Sequence, residues 1–322
     1  MNTKEAAIQD EFDKIENVQE RNAKILAAID DASDGQIKSA SSAGTNMIRR
    51  RIREEGFLRR ILPPQLATND DLNRVLEHDR PLIIEDMEPG QRGSKSIPFG
   101  DAADTEFYYG NKYAVYFNPI TTPEFTKDIN ELRTYKMDLR QVVTDNALKD
   151  IETEEDTQFI NTVNTICGPS NGVGAGGIQQ NFTLTGGFER DQYVEVLNGL
   201  ENVYLNNGVI LMNRRTAKNF LKWGRDEIGG DLAEKLLTDG LTALTEAKLF
   251  GIKHLFTIKR HLVPDNTVFV FAEPNFLGKF YELQQTCMFI EKKKDILRVS
   301  ARETIGCTVA NVLGCQQYYF QP

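Results

Sequence analysis

Residues 33 to 45, SDGQIKSASSAGT, carry almost nothing that could be buried, so they read as a flexible or extended linker that divides an N-terminal segment from the rest of the chain. Before them, from about Lys4 to Ile29, the apolar residues Ile8, Phe12, Ile15, Val18, Ile25, Leu26 and Ile29 recur at steps of three and four. That spacing predicts one long amphipathic helix. Gln19 and Asn22 interrupt its stripe, which weighs against a stable coiled coil and leaves docking on a partner or on the body. The helix is tethered to the fold, not integrated in it.

After the linker, MIRRRIREEGFLRRILPP sets Arg49, Arg50, Arg51, Arg53, Arg59 and Arg60 among Ile48, Ile52, Phe57, Leu58, Ile61 and Leu62. Nucleic acid is one reading of the arginines. A net charge of −9 favours the other, a surface arm whose guanidiniums pair with carboxylates of a neighbouring chain. Pro63 and Pro64 end any helix there. An apolar strand at Leu82 to Ile84 then leads into Gly- and Pro-rich polar residues, and an alternating strand from Phe107 to Phe117 returns. This predicts a long hairpin, and an aromatic two-stranded ribbon needs something to lie against.

From Met137 to Cys167 two helical stripes are expected, with Thr153-Glu154-Glu155-Asp156 as the acidic cap that restarts the helix. Beyond a glycine-rich stretch, taken as a mobile surface loop, come helices at Tyr193 to Leu205, Arg215 to Arg225 and Leu232 to Leu237. Strands are expected at Val209 to Met212, Lys253 to Ile258, Thr267 to Phe271, Phe280 to Leu283, Cys287 to Lys292 and Ile296 to Arg302. The fold class is α+β, with no internal repeat.

Catalytic motifs are weak. Gly168 to Gly172, GPSNG, matches a nucleophile elbow with Ser170, but the strand before and helix after that the motif requires are missing. Gly172 to Gly177 similarly lacks the context of a phosphate loop. Cys167, Cys287, Cys307 and Cys315 form no CxxC pair, and only three histidines are present. No metal, cofactor or enzymatic activity is expected. No apolar run is long enough to span a membrane, and the polar, acid-rich N-terminus argues against export.

The order of these parts resembles the major capsid proteins of tailed bacteriophages, which share the Hong Kong 97 capsid fold. The resemblance extends to VILMNRRTAKNFLKW, to LFGIKHLFTIKRHL with TVFVFAEPNFLGKFYEL, and to DILRVSARETIGCTVANVLGCQQYYF. It implies an N-terminal arm over 1–62, the start of a peripheral domain over 63–79 and an E-loop over 80–125. A peripheral domain with a spine helix at about 152–167 would follow over 126–187, then an axial domain over 188–283 and return strands over 284–322.

The implied function is self-assembly into pentamers and hexamers of an icosahedral shell around a DNA genome. Assembly would take place in the bacterial host cytoplasm, with portal, scaffolding and possible decoration proteins as partners. Packaged double-stranded DNA would be touched non-specifically. Phe12, Ile15, Ile25, Ile29, the six arginines, Lys95, Tyr109, Tyr113 and Phe117 are the implied contacts between subunits. Some family members join such a lysine to an asparagine of a neighbour, a reaction that also needs a nearby carboxylate in a dry pocket; the sequence places neither here, so non-covalent assembly is expected. An encapsulin-type shell, a phage tail component and a serine hydrolase using Ser170 are the alternatives.

Overall fold

A computed structural model describes residues 56–75, 78–87, 96–100, 111–128, 139–223, 246–249 and 251–321. The chain enters through a short helix, α1 (Leu58–Ile61), and strands β1 (Gln65–Leu66), β2 (Asn73–Val75) and β3 (His78–Met87). It continues through β4 (Asn111–Tyr116), β5 (Asn118–Thr121), β6 (Phe125–Asp128) and a long helix, α2 (Leu139–Cys167). Then come β7 (Asn181–Thr185), α3 (Arg190–Asn198), β8 (Asn207–Asn213) and α4 (Arg214–Ala217). After β9 (Glu246–Leu249), β10 (Ile252–Thr257), β11 (Thr267–Ala272) and α5 (Pro274–Leu277), it closes on β12 (Gly278–Lys293), β13 (Ile296–Val309) and β14 (Cys315–Gln321).

Among the described residues the strands form three sheets. The largest runs β7-β14-β11-β8-β10-β9. Its central strands read as unbroken apolar runs because both faces are covered. Val209, Leu211, Leu255, Phe269 and Phe271 face one core with α2. Ile210, Met212, Phe256, Val268 and Val270 face another, lined by Tyr193 and Val196 of α3 and by Ala217 and Phe220. This is the period-two alternation of a strand, with an apolar partner on each side. A second sheet pairs β12 and β13 as a long antiparallel hairpin, with β1 on one edge and β5 and β6 on the other.

Helix α2 is a single helix of 29 residues where two were expected. Thr153 does not cap a restart, because its hydroxyl donates to the Lys149 carbonyl one turn back, and Thr157 does the same to Thr153. Two residues read as part of that acidic cap, Glu155 and Asp156, are 1% and 0% exposed. Gly168, at φ +71°, ends the helix in the left-handed conformation that glycine adopts without a Cβ penalty.

Other boundaries also move. The strands expected at 280–283 and 287–292 are one strand, β12, which tolerates register shifts at 282–284 and 284–287. The helix expected from Arg215 is the short α4 followed by a 3-10 turn over Lys218–Lys222. Strands β7 and β14, far apart in sequence, pair with each other in the six-stranded sheet. Residues 57–62, placed in the N-terminal arm, lie in the core: Phe57, Leu58, Ile61 and Leu62 are all 5% exposed or less.

Candidate functional site

The segment 57–62 brings a charged residue into that core. Its apolar neighbours carry Arg59 inward with them, and the Arg59 side chain is only 6% exposed. An unpaired interior guanidinium would be severely penalised, so its partners decide whether the arrangement stands. Arg59 Nε donates to both Glu155 carboxyl oxygens, at 3.0 and 3.2 Å. Its terminal nitrogens reach Glu282 on β12 and, at 3.3 Å, Glu303 on β13. The guanidinium carbon lies 5.5 Å from the centre of the Phe280 ring.

A second junction sits beside the first. The Leu58 backbone N–H donates to Asp156 at 3.0 Å. Lys259, just after β10, bonds Asp156 and Glu152 at 2.7 Å each and lies over the Phe57 ring. Glu152, Glu155 and Asp156 stand three and four positions apart, the spacing that gathers side chains on one helix face. One face of α2 therefore ties segment 57–62 to both large sheets.

Charges here are strongly perturbed. Burial works against the Arg59 charge, but the hydrogen bond and charge of Glu155, with those of Glu282 and Glu303, hold its pKa above the ordinary value. Burial pushes Asp156 up to about 7 despite Lys259 and the Leu58 N–H. Burial, then the charge and hydrogen bond of Glu155, push Glu303 up to about 9.

Arg59 is therefore not the exposed arm residue that the sequence suggests, because its guanidinium is spent on carboxylates of its own chain. Arg60 is half-buried beside it. Phe12, Ile15, Ile25, Ile29, Arg49, Arg50, Arg51, Arg53, Lys95 and Tyr109 lie outside the described residues. Of the candidates among the described residues, Tyr113 and Phe117 are brought together. Phe117 belongs to a small core with Ala67, Ile83, Val115 and Tyr281, and Tyr113 packs against it partly buried. Phe117 is 4% exposed and so fills its own chain's interior instead of reaching a neighbour.

The expected hairpin forms, with β3 and β4 antiparallel from Leu82↔Tyr116 to Met87↔Asn111. It lies on β12 as a ribbon must, and Tyr281 donates to Glu85 across that contact. Its other face leaves Ile84 and Tyr116 about half exposed, residues that no sequence pattern singles out. Glu282, Glu303 and Lys259 were also missed. Their only local signal is a charge inside an apolar strand, as in YEL and RETI, or directly after one.

The glycine-rich stretch is built, not mobile. Ala175 N–H donates to the Ile166 carbonyl at 2.8 Å, Gly174 N–H to Ile178, and buried Gln180 donates to the Cys315 carbonyl at 3.0 Å. A Cβ on Gly174 would stand 2.7 Å from the Ile166 carbonyl oxygen, so glycine is required there. Ser170 is exposed and shares a hydrogen bond with Thr183, a partner that cannot act as its base. Among the described residues, no group of His, Cys, Asp and Glu is arranged to hold a metal, and no helix is long and apolar enough to cross a membrane.

No family model matches the sequence, and the search of curated proteins finds no match. Solved structures do match. The capsid of a native GTA particle superposes with a TM-score of 0.55 at 15% identity, over 82% of this chain and 90% of that one. Microbacterium phage Oxtober96 gives 0.53 at 10% identity, over 81% and 90%. Mycobacterium phage Ogopogo gives 0.51 at 8% identity, over 83% and 92%. The chain has the fold of these proteins.

Proposed function

We propose that this chain is a shell subunit, the major capsid protein of a tailed bacteriophage, which acts by self-association and not by catalysis. The observation that carries this reading is the fold shared with the GTA capsid over nine-tenths of that protein. A surface domain grafted on an unrelated body would not produce a match of that extent. Fold alone does not fix function, so the reading also leans on the protein's own chemistry. Its strongly perturbed carboxyls at Arg59 and Lys259 are spent on holding elements together.

In this reading, pentamers and hexamers close an icosahedral shell around double-stranded DNA in the host cytoplasm. Portal and scaffolding proteins complete the particle, and decoration proteins can join it. Subunits meet through heterologous contacts, for which arms and hairpins provide area without enlarging the core. The residues before 56, including Phe12, Ile15, Ile25, Ile29 and Arg49 to Arg53, are proposed as such contacts. Lys95 at the hairpin tip and Tyr109 on the returning strand are proposed as further contacts.

Electron microscopy of the purified full-length chain is the test, with closed particles expected. A variant lacking residues 1–55 should fold yet assemble poorly, and the cut must stop there because 57–62 complete the core. A chain that stays monomeric at high concentration, with or without scaffolding protein, would sink the reading.

A further inference from the structure

The two junctions hold an unequal number of charges. Arg59 and Lys259 face Glu152, Glu155, Asp156, Glu282 and Glu303, two cations against five carboxyls. Glu303 is fully buried. One of its oxygens accepts from Thr286 at 2.9 Å and from Arg59 at 3.3 Å. The other, equally buried, has no donor facing it. Yet Glu155 and Glu303 bond the same terminal nitrogen of Arg59, which holds the two carboxyls side by side. Two ionised carboxylates repel at that range, and a proton between them turns the repulsion into a hydrogen bond.

We propose that Glu303 is held as a neutral acid donating to Glu155, and that losing this proton to solvent opens the junction and frees segment 57–62 from α2. The groups facing Glu303 are Arg59 from α1, Glu155 from α2 and Thr286 from β12, and Glu282 of β12 shares the Arg59 guanidinium. Cys307 shares its strand. Burial and the Glu155 charge push the Cys307 thiol up to about 12, so it stays protonated over the range that matters. Directly after Glu155 in the chain, Asp156 and its partner Lys259 belong to the same network.

The sign is set by Glu303 itself. Its pKa is raised from 4.5 to about 9 in the closed state. Opening therefore releases a proton anywhere between those values, and the closed state is favoured most below 4.5. The opening constant should rise about tenfold per pH unit in that window and level off above it. Asp156, raised to about 7, releases a second proton only below pH 7. The interval from pH 7 to 9 therefore isolates Glu303.

Trypsin reads the opening directly, because its targets Arg59 and Arg60 are buried and half-buried in the closed state. Cleavage of the full-length chain at these two bonds, mapped by mass spectrometry, is normalised to a free peptide of the same sequence. It should accelerate about tenfold per pH unit from 7 to 9 in the wild type. In Glu303→Gln, which keeps the shape without the acid, the profile should be flat. Infrared spectra at pH 8, above the Asp156 range, should show a protonated-carboxyl stretch that this variant lacks. A flat wild-type profile, a slope that persists in Glu303→Gln, or absence of that stretch would each overturn the proposal. Should Glu303→Gln fail to fold, the wild-type slope and stretch decide alone.

Discussion

In the six-stranded sheet, β11 buries every side chain from Thr267 to Ala272, nearly all of them apolar, between two layers of hydrocarbon. At the junction beneath α1 the same degree of burial is given to Arg59, Glu155, Asp156 and Glu303. The first region needs only shape and apolar area. The second needs each charge to meet its partner, and removing one partner leaves the others stranded. The sheet therefore holds against changes of pH except where it contains a titratable group, whereas the junction's stability depends on how many protons it carries.

The largest effect expected from this contrast is that of Arg59→Ala. It removes one cation and strands the three carboxyls that it served. Breaking a buried ion pair from one side costs about 3–5 kcal/mol. Denaturant unfolding at neutral pH should show a loss of that size, and moderate salt should not rescue it, because solvent ions do not reach the site. A loss under about 1 kcal/mol, the range of exposed pairs, would mean that the junction is wet and the contrast false.

Where the sheet does contain a titratable group, the direction reverses. His254 on β10 is fully buried. Its Nδ1 meets the Ile252 carbonyl at 2.9 Å, and its Nε2 meets the Tyr193 hydroxyl. The carbonyl can only accept, so Nδ1 carries the proton, and in the neutral ring that burial favours Nε2 accepts from the Tyr193 hydroxyl. Burial lowers its pKa from 6.5 to about 4. A histidine with a depressed pKa contributes stability that is present above 6.5 and is lost as pH falls toward 4. That loss is worth roughly 3 kcal/mol. Glu303 and Asp156 shift stability the opposite way over the same range, so the wild type alone cannot reveal it. The stability difference between wild type and His254→Gln should shrink by that amount from pH 6.5 to 4, and a constant difference would show that the ring is not desolvated.

The contrast also explains what sequence could convey. VILMN and TVFVFA announce themselves because a strand covered on both faces has no polar side to show, and the hairpin strands at 82–84 and 111–116 carry their alternation locally. The junction has no such signal. Arg59 finds its partners 96, 223 and 244 positions away. In sequence it is one of six closely spaced arginines, and the group looks like a solvated arm. Glu155 and Asp156 likewise look like a helix cap, because a threonine followed by acids has the same local pattern whether it starts a helix or stands in the middle of one. Burial of a charge is decided by tertiary contacts, and local pattern does not record them.

The smallest effect tests the same interaction where water can reach it. Lys112 and Asp86 pair across β3 and β4, with nitrogen and oxygen 3.8 Å apart and side chains 66% and 84% exposed. They sit directly opposite in the antiparallel register, the position where opposite charges assist a sheet. Their desolvation cost is negligible, and so is the gain, because water screens the attraction and the lysine gives up rotamer freedom to stay in place. Losing the lysine also strands nothing, since Asp86 remains hydrated. Lys112→Ala should therefore move the unfolding free energy by no more than about 0.5 kcal/mol, and added salt should erase even that. If Lys112→Ala cost as much as Arg59→Ala, burial would not be what separates the two ion pairs.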